Sequence, residues 1–506
     1  MFNPLRSERH VTGRTDRVVV IGAGLGGLAA ALHLAGAGRE VTVLERESVP
    51  GGRAGLLTDS GFRFDTGPTV LTMPELVDEA LGAVGAKLDE HVTLHQLDPA
   101  YQGRFADGSR LHVHTDLDHM VDEIGAQCSS ADAAGYRDMV AYLTKLFDIE
   151  MPHFVGRNLD SPAALVGPAL LELVRMGGMR KLSSVIGHFV QDERLRRMFS
   201  FQAMYAGLAP ADALAIYAVI TYFDCVSGVY FPEGGMHRIP QVMAEVAQTA
   251  GVDIRYSTPV RRIEVEHDRA TAVITADGER ITADVVVLNA DPPQAYPALL
   301  PAEYVPRRFT TRGPGRLRYS PSCVVMHTGS SWVADDLGHH TIFFGEQWDR
   351  VFDEIIDDGV PMSDPSFLVT SPSRTDPALA PEGKATYYTL FPTPNLDHAN
   401  PIDWAEAGPR YREHMHATMR ARGLEPFTAA TEVEHLTTPA DWEAMGLAAG
   451  APFAASHTFA QTGPFRPGTM DPRIGNLLRC GSGVQPGVGV PMVLVSGKLA
   501  ADRVTG

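Results

Sequence analysis

The stretch VVVIGAGLGGLAAALHLAGAGREVTVLE, Val18 to Glu45, decides the fold. Val18-Val19-Val20-Ile21 is a β-branched run of the kind that forms a strand buried on both faces. Leu25, Leu28, Ala29 and Leu32 then recur at i, i+3, i+4 and i+7, the apolar stripe of a helix. Gly22, Gly24 and Gly27 occupy the turn. The first permits a tight bend, the second lets the backbone approach a pyrophosphate, and the third lets the helix pack close to the strand. The helix N-terminus presents free N–H groups to the anion. Gly36 and Gly38 stop the helix, Val41-Thr42-Val43-Leu44 forms a second strand, and Glu45 ends it. A carboxylate there accepts hydrogen bonds from the adenosine ribose hydroxyls and repels a 2′-phosphate. A glycine fingerprint alone is weak evidence, but here strand, helix, second strand and terminal acid fall in register, so the unit is read as dinucleotide-binding. The same run from Val18 to Gly38 lacks Asp, Glu, Lys and Arg and is the one segment that could pass for a membrane span or a secretory signal. Its glycines and the β-rich continuation argue against both.

At about 100 to 200 residues per domain, 506 residues allow two to four domains. With 44% hydrophobic and 21% charged residues the chain can bury large cores, which excludes disorder, collagen and a coiled rod. Lys plus Arg at 43 against Asp plus Glu at 61 leaves −18, a field that repels phosphate backbones, so no nucleic acid partner is expected. Cys128, Cys225, Cys323 and Cys480 stand far apart without a CxxC pair, so neither a zinc site nor a disulfide framework is implied, and a cytoplasmic location is expected.

Beyond the opening unit, Tyr101 to His114 reads as a hairpin about Asp107-Gly108, and Ala272 to Val287 as another about Asp277-Gly278. Gly234-Gly235-Met236 opens a helix to about Ala250, followed by a strand at Val252 to Tyr256, by Pro259-Val260, and by the apolar strand Asp284 to Leu288. Gly481 to Pro491 is too rich in glycine and proline for a helix, and Met492 to Arg503 forms a terminal one. These segments are three returns of the chain to one nucleotide domain. The fold class expected is α/β: a Rossmann-like dinucleotide-binding domain, discontinuous and assembled from residues 15–74, 231–304 and 456–506, with an α+β substrate and membrane-facing domain from residues 75–230 and 305–455.

Pro50-Gly51-Gly52-Arg53 and Asp65-Thr66-Gly67-Pro68-Thr69 resemble the double-glycine and D-x-G-P segments of the flavoprotein superfamily that includes amine oxidases and carotenoid desaturases, which favours FAD over NAD. With Tyr230 to Met236, Gly463-Pro464-Phe465-Arg466-Pro467 and the Gly481 to Pro491 loop, they occur in the order of the bacterial-type phytoene desaturase family and span nearly the whole chain. The resemblance implies stepwise dehydrogenation of a C40 precursor, phytoene to lycopene, with electrons passed on to a quinone or oxygen. It also implies cofactor contacts at Gly52, Arg53, Gly67, Pro68, Val260, Gly481, Gly487, Gly489 and Val490, beside Gly22, Gly24, Gly27 and Glu45. One departure stands out. Relatives often carry G-T-H-P-G-A-G where this chain has Gly483-Val484-Gln485-Pro486-Gly487-Val488-Gly489, and Arg479 replaces a usual apolar residue. A neutral amide cannot be a general base, so Gln485 is a candidate only for donating to a flavin carbonyl or holding a water, and the catalytic residue stays unknown.

A hydrocarbon offers no carbonyl to polarise and no heteroatom to bind, so cofactor electronics must carry the reaction. An allylic C–H next to a conjugated segment can give up hydride to flavin N5 while a neighbouring carbon loses a proton to a base or water. His112, His114 and His119 sketch a metal site, but alternation on a solvated hairpin accounts for them, and no metal is assigned. An apolar polyene substrate implies peripheral attachment to a membrane surface. Residues 161–200 supply a basic, leucine-rich segment in which Arg194, Arg196 and Arg197 are expected to meet anionic lipid. A carotenoid isomerase or oxygenase relative, an FAD amine oxidase and a non-enzymatic prenyl carrier are the competing readings.

Overall fold

Arg17–Ile21 (β1) and Glu40–Leu44 (β2) flank a helix at Leu25–Gly36 (α1), as the opening stretch requires. The computed structural model describes residues 8–310 and 316–506, so residues 311–315 of the 305–455 segment lie outside the described residues. A second helix, Arg238–Thr249 (α2), precedes Asp253–Arg255 (β3), and Val285–Leu288 (β4), Leu477–Arg479 (β5) and the final helix Val490–Thr505 (α3) complete the layer. All these strands are parallel, in the spatial order β5-β4-β1-β2-β3, the strand order of a dinucleotide-binding sheet.

Alternation along β1 settles which layer covers which face. Val18 and Val20 are buried with α1, α2 and α3, whereas Val19 and Ile21 are buried with Ile263 and Val273 of an antiparallel meander over residues 260–282. A parallel sheet must be covered on both sides, and here helices do it on one face and the meander on the other.

The other large sheet has seven strands, Thr431–Thr437, Ser322–Ser330, Ala385–Thr393, Phe367–Thr370, His340–Phe343, Tyr101–Arg104 and Arg110–Val113, in that order. The hairpin about Asp107-Gly108 forms as expected and joins the sheet through a parallel pairing of Tyr101–Arg104 with His340–Phe343. The second expected hairpin forms at Arg269–Thr275 and Arg280–Thr282. Two small differences appear at element ends: the strand expected at Val252 to Tyr256 is trimmed to β3, and α3 begins at Val490 because Pro491 sits in its first turn, where a missing N–H costs nothing. No helix among the described residues is long and apolar enough to cross a membrane.

The unusual Arg479 of β5 is almost wholly buried. It donates to the Met470 carbonyl at 2.7 Å, lies 3.8 Å from Asp471 and stacks over the Tyr296 ring, while the Tyr296 hydroxyl donates to Asp471 at 2.7 Å. An arginine replaces an apolar residue there because a carboxylate and an aromatic face are buried with it.

Candidate functional site

Helix α1 begins at Gly24 with no side chain capping its first amides, so they remain available to an anion. Around that opening the chain is built from glycine. A Cβ on Gly27 would lie 2.2 Å from the Gly22 carbonyl, and one on Gly24 would lie 3.0 Å from Asn289 Nδ2 and within 4 Å of the Gly51–Gly52 backbone. Gly22 itself adopts φ +100°, with its N–H on the Leu44 carbonyl at 2.8 Å. Gly24 pairs with Gly51 as an isolated bridge, which brings the Pro50 to Arg53 segment to the α1 entrance.

Glu45 is buried at the end of β2. The Ala23 N–H donates to its Oε2 at 2.6 Å and the Glu47 N–H to its Oε1 at 3.0 Å, so both oxygens are oriented while each retains acceptor capacity for a ribose hydroxyl. The segment after β3 lies across it: the Thr258 N–H donates to the Glu45 carbonyl at 2.7 Å, two residues before Val260 starts the meander.

The final loop closes the other side. Arg53 donates to Ser482 Oγ and to the Pro452 carbonyl, both at 2.7 Å, and burial lowers its guanidinium pKa against the nearby Asp291. Gly67 packs so tightly on this segment that a Cβ would fall 1.9 Å from the Arg53 carbonyl, with Pro68 following it. The Gly481 N–H donates to Ser496 Oγ at 3.1 Å. Gly489 has φ +114° and opens α3 before Val490, and a Cβ added there would meet nothing nearer than Pro491 Cδ and Met492 Cγ at 3.9 Å, so its Cα face is open. An uncapped helix start, an oriented carboxylate and an open glycine face are the shape and polarity that an adenine dinucleotide requires, so the residues present fit FAD.

Several residues stand where the sequence had not placed them. Asp65 of the D-x-G-P segment accepts the Met236 and His237 N–H groups at 2.8 and 2.9 Å, tying two distant segments together, and burial pushes its carboxyl up to about 6. Asn289 donates to the Gly22 carbonyl at 3.2 Å and lies against Gly24, Gly26, Gly27 and Gly481. Its place directly after the β4 run was the available signal. Gln485 commits its amide to backbone: Nε2 donates to the Leu159 and Gly463 carbonyls at 3.0 and 2.9 Å, and Oε1 accepts the Leu159 N–H at 3.2 Å. Both donors are thus used, and the expected bond to a flavin carbonyl gives way to a strut between chain segments. The His457 ring fills the space where a Gly487 side chain would stand, 2.1 Å from an added Cβ. Burial and the neighbouring Arg466 charge hold that imidazole neutral, with Nε2 lacking a hydrogen-bond partner among the described residues. Arg466 is buried too and donates to the Val484, Ala455 and Ser482 carbonyls, shaping the loop.

The basic segment is corrected in detail. Arg194 is held by Asp192 and the Gln127 carbonyl, Arg196 by the Val190 carbonyl and Gln191, and Arg197 by Glu193 and the Gly345 carbonyl. Carboxylates offset the charges of Arg194 and Arg197, which leaves Arg196 as the one of the three without an acidic partner among the described residues. The exposed feature nearby is apolar instead: Val166, Leu171, Val174 and Met179, with Phe459 (66% exposed) on a turn at Phe459–Gln461 and Phe465 (41%) on the next turn, Gly463–Phe465, which packs against Pro162–Leu165.

Comparison with known proteins agrees with this geometry. The profile of the family described as flavin containing amine oxidoreductase matches residues 25–505. The chain is 52% identical to a phytoene dehydrogenase of Streptomyces griseus over 500 residues, covering 98% of this chain and 96% of that protein. It is 37% identical to a zeta-carotene-forming phytoene desaturase of Myxococcus xanthus over 494 residues (96% and 93%), and 32% to a lycopene-forming phytoene desaturase of Pseudescherichia vulneris over 493 residues (96% and 98%). Among solved structures, an oxidoreductase from Methanosarcina mazei superposes with TM-score 0.62 at 17% identity, covering 95% of this chain and 99% of that one. Putrescine oxidase bound to putrescine superposes with TM-score 0.58 at 17% identity (97% and 98%). Identities that low carry the fold alone.

Proposed function

The chain belongs to the flavin containing amine oxidoreductase family, and from that premise we propose that it is an FAD-dependent carotenoid desaturase acting on CH–CH groups of a C40 precursor. The observation that carries the reading is the match to the Streptomyces griseus phytoene dehydrogenase, 52% identical along almost the whole of both chains. Phytoene is the substrate and lycopene the end product we propose, reached by stepwise dehydrogenation. The relatives differ in their named products, zeta-carotene in one and lycopene in another, so the number of steps is the finer part of the proposal. Residues 15–74, 231–304 and 456–506 are proposed as the FAD-binding part and residues 75–230 and 305–455 as the substrate part; all strands of the β5-β4-β1-β2-β3 sheet belong to the former and all strands of the seven-stranded sheet to the latter.

When bound, the flavin supplies a two-electron acceptor for hydrogen taken from adjacent carbons. The chain's own residues hold it. The first amides of α1 would hold the pyrophosphate, Glu45 would hold the adenosine ribose, and Gly489 with Val490 at the start of α3 would border the cofactor. No ionised base is offered by the last loop: Gln485 is neutral and bonded to backbone, and a proton on His457 would sit in a buried site beside Arg466. The proton lost from substrate is proposed to leave to water, with catalysis resting on positioning.

The substrate enters from lipid. The apolar rim of Val166, Leu171, Val174, Met179, Phe459 and Phe465 is proposed to rest on a membrane surface, and the Gly463–Phe465 turn is bonded through Gln485 to the final glycine loop. Each apolar side chain moved fully out of water contributes about 1.5–3 kcal/mol. A basic residue near anionic lipid contributes about 1 kcal/mol, so the rim outweighs the arginines. Reduced cofactor is proposed to pass its electrons to a quinone or oxygen, at the cytoplasmic face of the membrane. The test is anaerobic incubation with phytoene in liposomes, with and without a quinone, followed by chromatographic identification of the products. Lycopene or partly desaturated intermediates are expected. In a parallel incubation in air, hydrogen peroxide release with amines and no change in phytoene would favour an amine oxidase, and isomerised or oxygenated product would favour the other relatives.

A further inference from the structure

Three segments that are separate in sequence converge beside the Asp107-Gly108 hairpin. Asp98 lies in the turn that leads into it, His114 directly follows its second strand, and His119 stands in the first turn of the helix Leu117–Gln127. His114 Nδ1 is 2.6 Å from Asp98 Oδ1, His119 Nδ1 is 3.8 Å from Asp98 Oδ2, and the two imidazoles stack with centroids 3.7 Å apart. One donor atom from each residue lies within 4.8 Å of the others. His112, which alternation groups with them, is drawn away: its Nδ1 is 3.1 Å from Glu123 Oε1, which also accepts its backbone N–H. The sequence pattern therefore pointed to the wrong third partner, because Asp98 reaches the site across the hairpin.

We propose that Asp98, His114 and His119 bind a divalent transition-metal ion of the zinc class. Two imidazoles and one carboxylate suit Zn²⁺, Ni²⁺ or Co²⁺ rather than Mg²⁺ or Ca²⁺, which take oxygen ligands. Bonds of about 2.0–2.2 Å place neighbouring tetrahedral donors about 3.3–3.6 Å apart. Contacts of 2.6 and 3.8 Å, with all three donors within 4.8 Å of one another, reach that spacing by opening the Asp98–His114 contact and turning the stacked His119 ring toward the ion. The mobile partners are the right ones, since Asp98 and His119 are more than half exposed while His114 is buried, with its backbone N–H on Met120 Sδ. The ion takes the place of the proton held between His114 Nδ1 and Asp98 Oδ1, and a water completes the fourth position. Bound there, it joins the turn, the hairpin end and the helix start into one unit.

The experiment uses the full-length, FAD-loaded protein without a polyhistidine tag, dialysed against EDTA. It is titrated with ZnCl₂ by calorimetry and with CoCl₂ by visible absorption, which reports the coordination geometry. One equivalent is expected to bind with a Kd on the order of micromolar. His119→Ala and Asp98→Asn, both at exposed positions, are expected to weaken binding by about tenfold or more. His112→Ala and Cys128→Ser are expected to bind as the wild type does, and the flavin spectrum of each variant verifies its fold. The proposal is overturned if the wild type shows no saturable binding below about 1 mM, if His119→Ala and Asp98→Asn bind undiminished, or if loss follows Cys128→Ser or His112→Ala instead.

Discussion

Gly24 faces the Gly51–Gly52 backbone at the entrance of α1, and the methyls of a valine there would occupy the space between the two glycine segments. Gly24→Val is therefore expected to purify with little FAD, measured as flavin absorbance per protein; full occupancy would place the pyrophosphate elsewhere. Gln485→Ala has a different signature. It strands two buried carbonyls and one N–H, at about 1–3 kcal/mol for each group left without a partner. A fall in unfolding free energy is expected, with the rate of flavin reduction per bound FAD kept within about tenfold, because the side chain is not a base. A loss of several orders of magnitude with FAD still bound would return Gln485 to the chemistry. Asp224 gives a pH test. It is buried, accepts the Tyr101 hydroxyl at 3.1 Å, and burial lifts its carboxyl to about 7. An unfolded aspartate titrates near 3.9, so the native state binds more protons between about pH 4 and 7. The stability this contributes is present below about pH 4 and is lost as pH rises through about 7. Relative to wild type, Asp224→Asn should gain stability between about pH 5 and 8, on the order of a few kcal/mol in urea unfolding. Parallel stability curves for the two proteins would contradict the buried titration.

Among elements, the pairing of α1 with α3 holds the two ends of the cofactor site together. A Cβ on Gly497 would fall 2.3 Å from the Gly26 carbonyl, so the helices meet backbone to backbone. Gly497→Ala must push them apart, at about 1–3 kcal/mol, and should lower both the melting temperature and FAD affinity by moving Val490 away from Gly24. A stable Gly497→Ala protein with unchanged FAD affinity would show that the helix spacing is not what sets the site. The elements that build this half were legible because their signals are local: a β-branched run, a 3.6-residue stripe, glycines at helix ends and Asp-Gly at hairpins. The seven-stranded sheet was not. Its long inner strand Ser322–Ser330 is buried at every position and shows no polar alternation, and the sheet's pairing of residues near 102 with residues near 341 has no neighbouring cue in the chain. Site residues divide in the same way. Gly22, Gly27 and Glu45 stand where the fingerprint puts them, while Asn289, Arg466 and His457 act through contacts between distant segments that spacing does not encode.

For the whole molecule, charge and apolar surface make opposite demands at a membrane. The chain carries −18 and is repelled by anionic lipid over a distance set by salt, about 10 Å at 0.1 M and about 3 Å at 1 M. Arg194, Arg196 and Arg197 are already counted in that balance, and two of the three are paired with Asp192 and Glu193, so locally they offset little of the repulsion. If attachment comes from the rim of Val166, Leu171, Val174, Met179, Phe459 and Phe465, two consequences follow. Co-sedimentation should occur with neutral phosphatidylcholine vesicles, and on anionic vesicles it should strengthen as salt rises, since screening removes the repulsion and leaves the apolar contact intact. Replacing Arg194, Arg196 and Arg197 with serine should change little of the lipid binding, whereas Leu171→Ser with Phe459→Ser should reduce it at every salt concentration and slow phytoene turnover in liposomes. Binding confined to anionic vesicles and abolished by salt would reverse this assignment, making a basic surface the anchor and the exposed aromatic turn a bystander.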